Sequence, residues 1–69
     1  MTEEALVLHN RDERGVVTLT LNRPQAFNSL SEAMIDALQS ALHGVAEDGA
    51  ARVVVIAGAG KAFCAGHDL

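Results

Sequence analysis

The segment that most restricts the fold is Arg52-Val53-Val54-Val55-Ile56-Ala57-Gly58, an unbroken apolar, β-branched run between an arginine and a glycine. A strand with one wet face alternates apolar and polar residues. An unbroken run is expected of a strand covered on both faces, as in a parallel sheet. What precedes it fits that reading. Leu30, Met34, Leu38, Ala41, Leu42 and Val45 recur at intervals of three or four and predict the apolar stripe of a helix over roughly residues 31–46. Ser29 and Glu32 have the spacing of a capping box, and Glu32 and Asp36 suit the positive end of the helix dipole. Gly44 and Gly49 are the candidates for ending the helix.

Upstream, Val17, Leu19 and Leu21 alternate with Val16, Thr18 and Thr20, which predicts a strand over Gly15–Asn22 with one buried face. Ala5–Asn10 is a second aliphatic run. The short polar link between the two, Arg11-Asp12-Glu13-Arg14, favours an antiparallel hairpin. Pro24 lacks a donor and holds Arg23 extended, so the strand ends there and a loop begins. The expected order is β-β-α-β, an α/β arrangement whose third strand runs parallel to the second through a right-handed crossover.

Sixty-nine residues make at most one small domain. Such a chain buries only about 60% of the surface exposed by its unfolded form. No staple compensates: Cys64 is the single cysteine, and the histidines His9, His43 and His67 lack structural zinc spacing around it. Yet 49% of the residues are hydrophobic. Residues 1–69 are therefore expected to be the N-terminal part of a larger core. A net charge of −4 and only two aromatics, Phe27 and Phe63, argue against nucleic-acid binding. The acidic start lacks the basic and apolar regions of a signal peptide, no run is long enough to span a membrane, and a lone thiol suits a reduced, cytoplasmic compartment.

The closing stretch, Gly58-Ala-Gly-Lys-Ala-Phe-Cys-Ala-Gly-His-Asp-Leu69, invites a phosphate-loop reading that its spacing denies. Gly60-Lys61 is followed by Ala62 instead of Ser or Thr, and Val55 stands where the first P-loop glycine belongs. A dinucleotide fingerprint counted from Gly58 meets Phe63 at its third glycine. A tight turn explains Gly58 and Gly60 better. In the second turn, Cys64, Ala65 and Gly66 carry almost no side-chain bulk, so a ligand oxygen could approach bare backbone N–H groups, the requirement of an oxyanion hole; close packing alone is the competing explanation. Cys64 is expected to be a buried small hydrophobe, and His9 and His43 to be solvated.

Leu21-Asn-Arg-Pro-Gln-Ala-Phe-Asn-Ser-Leu30, an amphipathic helix, and then Arg52–Leu69 together resemble the enoyl-CoA hydratase/isomerase (crotonase) family. The resemblance covers nearly the whole chain and implies the N-terminal part of a ClpP/crotonase-like spiral fold. It implies an enzyme acting on acyl-CoA thioesters, with 2-enoyl-CoA hydration first among the candidate reactions. Isomerisation, other crotonase chemistry or a non-catalytic CoA-binding role are the alternatives. By position in the family motif, the backbone N–H of His67 would be an oxyanion donor and the Ala65 carbonyl would meet the adenine amino group. Ala26 and Asn28 would line the CoA groove, and Asp68 and Leu69 would begin the segment beside the acyl pocket. Coenzyme A would enter as part of the substrate, with no covalently bound cofactor and no metal. A homotrimer or hexamer is the implied assembly. Glu32 and Glu47 match none of the family's catalytic glutamates, so the base and the second donor are expected outside these residues.

Overall fold

The computed structural model describes residues 5–64 and Gly66. Strand β1 (Val7–Arg11) and strand β2 (Val16–Leu21) are followed by a single 3₁₀ turn (Pro24–Ala26), helix α1 (Glu32–Glu47) and strand β3 (Val53–Gly58). The sheet order is β1-β2-β3: β2 is central, antiparallel to β1 and parallel to β3. This is the expected β-β-α-β order. None of its helices is long and apolar enough to cross a membrane among the described residues.

The two-residue period of β2 decides where the core lies. Val17, Leu19 and Leu21 are buried, while Val16, Thr18 and Thr20 on the other face are half-buried. Helix α1 packs over β1 and β2. Val17, Leu19 and Val45 form the centre of this contact, with Val7, Leu38, Ala41 and Ala51 around them. Each fully buried aliphatic side chain here stabilises the fold by about 1.5–3 kcal/mol relative to exposure.

Two expectations about the ends of the helix are corrected. The helix is capped by Ser31, whose Oγ accepts a hydrogen bond from Met34 N at 3.1 Å. Ser29 does not take that role, because its own N–H is drawn back to Ala26 O and the chain turns once more before α1 starts. Neither glycine ends the helix: Gly44 lies inside it, and α1 stops at Glu47 with Asp48 in an extended conformation as C-cap. In β3, Val53, Val54, Val55 and Ile56 are 53, 38, 43 and 40% exposed, so the described residues do not themselves supply the cover expected of a larger core. The run does pair in parallel, with Val17 beside Val54 and Leu19 beside Ile56. It is an edge strand among the described residues, and the helix covers its neighbours instead.

Candidate functional site

Because β2 and β3 are parallel and in register, Leu21 lies beside Gly58 and the loops that follow both strands leave the sheet at the same end. The C-terminal ends of parallel strands are where open α/β sheets place their ligands. Ala59 N donates to Leu21 O at 2.9 Å and continues the pairing into the second loop.

The first loop closes on itself. Phe27 N donates to Pro24 O, and Asn28 N to Arg23 O at 2.9 Å. Phe27 and Asn28 both lie in the left-handed region, with φ of 51° and 54°. Asparagine tolerates this conformation well because its short amide can bond locally. Asn28 is fully buried, and every hydrogen-bonding direction of its amide except one lone pair is used. Its Oδ1 accepts from Arg23 N at 2.7 Å, and its Nδ2 donates to Ala59 O and to Ala62 O, each at 2.9 Å. One side chain thus ties the first loop to two carbonyls of the second.

The glycines of the second loop serve this contact. A Cβ on Gly60 would stand 2.6 Å from the Pro24 Cβ, and one on Gly58 would stand 2.5 Å from Phe63 O. Gly60 makes room for the first loop, and Gly58 for the second loop's own backbone as it folds back at Ala62 and Phe63. Farther on, Leu30 N donates to Gly66 O at 2.8 Å, and Gly66 N meets Cys64 Sγ at 3.4 Å. Gly66 has φ of 102°. Cys64 is half-buried, less enclosed than the sequence suggests. Phe27 and Phe63 remain 54 and 57% exposed, and Lys61 is exposed.

Of the residues singled out from sequence, Ala26 is half-buried at the end of the 3₁₀ turn and Asn28, two residues on, is buried. Ala65, His67, Asp68 and Leu69 lie outside the described residues. His9 is exposed, and His43 is exposed beside Glu47, with Nε2 3.1 Å from Oε1. Glu32 sits in the first turn of α1, directly after the first loop, and Glu47 closes the helix. The described residues hold no group of three or more His, Cys, Asp or Glu side chains suited to a metal ion. Among the described residues, the carboxyl displaced from its ordinary range is Asp12, at the opposite end of the sheet. The Arg14 side chain foremost, then the Val16 N–H, hold it below its ordinary 3.8. Sequence reasoning missed the clamp made by Asn28 and the bond from Leu30 to Gly66. The only hint of the first was an asparagine ending a proline loop, and the second is main chain and leaves no sequence signal.

Residues 16–69 match the family described as enoyl-CoA hydratase/isomerase. The 1,2-epoxyphenylacetyl-CoA isomerase of Escherichia coli is 47% identical over 83% of this chain and 22% of its own length. A probable peroxisomal enoyl-CoA hydratase of Arabidopsis thaliana is 36% identical over 96% of this chain and 25% of its own. The crystal structure of an enoyl-CoA hydratase from Mycobacterium smegmatis superposes with a TM-score of 0.91 at 70% identity, over 96% of this chain and 26% of that one. The chain spans about a quarter of the length of the curated relatives it matches.

Proposed function

Because this chain belongs to the enoyl-CoA hydratase/isomerase family, we propose that it is the N-terminal segment of an enzyme that adds water across the double bond of a 2-enoyl-CoA thioester. The observation that carries this reading is the pair of loops locked side by side beyond Leu21 and Gly58, which leads the chain into residues 65–69.

The chemistry calls for backbone donors. When water oxygen bonds to the β-carbon, the double-bond electrons move toward the thioester carbonyl and its oxygen gains the charge of an enolate. The α-carbon then takes up a proton. A fixed N–H aimed at that oxygen strengthens as the charge grows, and such a donor is worth about 3 kcal/mol of barrier in other oxyanion holes. The N–H of His67 has this role in our reading, and the Ala65 carbonyl receives the adenine amino group. Ala26 and Asn28 belong to the loop that lines the CoA groove, and Asp68 and Leu69 open the acyl pocket. The carboxylate that activates water and the second donor come from beyond these residues. Addition of water is redox-neutral, so coenzyme A is needed only as the handle of the substrate. A cytoplasmic homotrimer or hexamer completes the proposal.

The test is decay of the conjugated-thioester absorbance when full-length protein meets 2-enoyl-CoA substrates of several chain lengths, with 3-hydroxyacyl-CoA as product. Absence of turnover and of acyl-CoA binding overturns it. The 47% identity to an isomerase supports a second reading, in which the same enolate is stabilised while a double bond or ring rearranges. A product isomeric with its substrate would favour that reading.

A further inference from the structure

We infer, on the acyl-CoA reading above, that the ring of Phe27 is the platform on which the adenine of coenzyme A stacks. Phe27 has φ of 51° and ψ of 35°, in the left-handed region, and is 54% exposed among the described residues. That conformation strains the backbone of a bulky residue. A ring left largely in solvent recovers little of the strain through burial. Asparagine or glycine would hold the same turn with less strain. Packing of the described residues therefore gives no reason for a phenylalanine here, and ligand sites are where such strain is retained. Phe63 is exposed to a similar degree, 57%, but its φ is not positive and it shows no such conflict.

The turn that carries the ring is rigid and stands at the ligand end of the sheet. Phe27 N donates to Pro24 O at 3.0 Å, Ala26 N and Asn28 N both donate to Arg23 O, and the next residue, Asn28, is fully buried. A platform on so tightly bonded a turn has little freedom left to lose when a ligand arrives. The turn follows β2, at the end of the parallel strands where open α/β sheets bind ligands. Of the parts of an acyl-CoA, the adenine is the one with an aromatic face, and such faces stack on phenyl rings. The charge nearby is of the matching sign. Lys61, an exposed cation, directly follows Gly60, which lies against Pro24 at the start of the same turn. Positive charge there complements the phosphates attached to the adenosine.

The experiment compares kcat/KM of the full-length protein on a 2-enoyl-CoA and on the 2-enoyl thioester of pantetheine, which lacks the adenine and its phosphates. Phe27→Asn removes the ring and suits the φ of 51°. It should lower the preference for the CoA thioester about 10- to 100-fold. It should also melt no lower than the parent, because strain is relieved and little buried surface is lost. Phe27→Tyr should keep the preference, and Phe27→Leu, apolar but without an aromatic face, should lose most of it. Equal falls on both thioesters, a preference retained by Phe27→Asn, or one retained in full by Phe27→Leu, overturns the proposal. A retained preference with a lower Tm would assign the ring to packing against another part of the protein. If Phe27→Asn does not fold, Phe27→Tyr and Phe27→Leu decide between the same outcomes. If the parent turns over no thioester, the functional reading fails by itself. Calorimetric binding of adenosine 3′,5′-bisphosphate to the parent and to Phe27→Asn then decides the role of the ring. Binding about tenfold or more weaker in the variant supports it, and equal binding, or none by the parent, overturns it.

Discussion

Gly60 lies against Pro24 so closely that a Cβ on the glycine would stand 2.6 Å from the proline Cβ. Gly60 also has φ of 81°. Two independent penalties therefore oppose Gly60→Ala, backbone strain and overpacking against a rigid ring. We expect the change to cost about 2–4 kcal/mol in urea unfolding of the protein. A loss under about 0.5 kcal/mol would show that the two loops are not in contact.

Gly66 separates the two penalties. None of the described residues lies within 4 Å of a Cβ there, yet its φ is 102°. Gly66→Ala should cost about 1–2 kcal/mol of strain, relieved by moving the peptide that follows. The measurement is kcat on the proposed 2-enoyl-CoA substrate beside thermal unfolding in the full-length protein. The expected outcome is a kcat loss of about tenfold or more with a modest fall in Tm. A wild-type kcat would remove the functional importance of this turn.

The helix start gives a paired test. Ser31→Ala removes the Oγ that accepts from Met34 N and should destabilise the protein by about 1 kcal/mol. Ser29→Ala should stay within about 0.5 kcal/mol, because Ser29 precedes the cap. Equal effects in denaturant titrations would restore the Ser29 capping box.

The hairpin turn responds to acid. Asp12 Oδ1 accepts from Arg14 N and Val16 N, and Oδ2 from the Arg14 guanidinium at 2.9 Å. These contacts, Arg14 first, depress its pKa below 3.8 in the folded state. The stability they add is present above that value and is lost as pH falls through the lower, folded one. The advantage of wild type over Asp12→Asn should be constant from neutrality down to about pH 4 and shrink below it. Stability curves of both proteins over that range check this, and an advantage that grew on acidification would contradict it.

Periodicity made much of the fold legible. The alternation in β2 names Val17, Leu19 and Leu21 as buried, and the three-four spacing of Met34, Leu38 and Val45 names the helix face that meets them. Such patterns survive in sequence because each position records one face of one element. The exposure of Val53 to Ile56 was not legible, since a run written for burial does not say which residues do the burying. The choice between Ser29 and Ser31 turned on one extra backbone bend that either spacing permits. Asn28 was legible as a loop residue of the family motif. Its partners Ala59 and Ala62 were not, because carbonyl acceptors look alike at every position.

The central place of β2 has a consequence for synthesis. Its antiparallel neighbour β1 is made first, while its parallel neighbour β3 emerges only after the whole of α1. A hairpin closes in about 1–10 μs. A ribosome adds only about 5–20 residues per second. During translation, then, β2 spends roughly seconds with one flank zipped and the other bare. Among the described residues, Leu38, Ala41 and Val45 of the helix supply most of the cover over Val17 and Leu19. Nascent chains arrested before Val53 should accordingly be protected from protease in β1 and β2 only once α1 has cleared the exit tunnel.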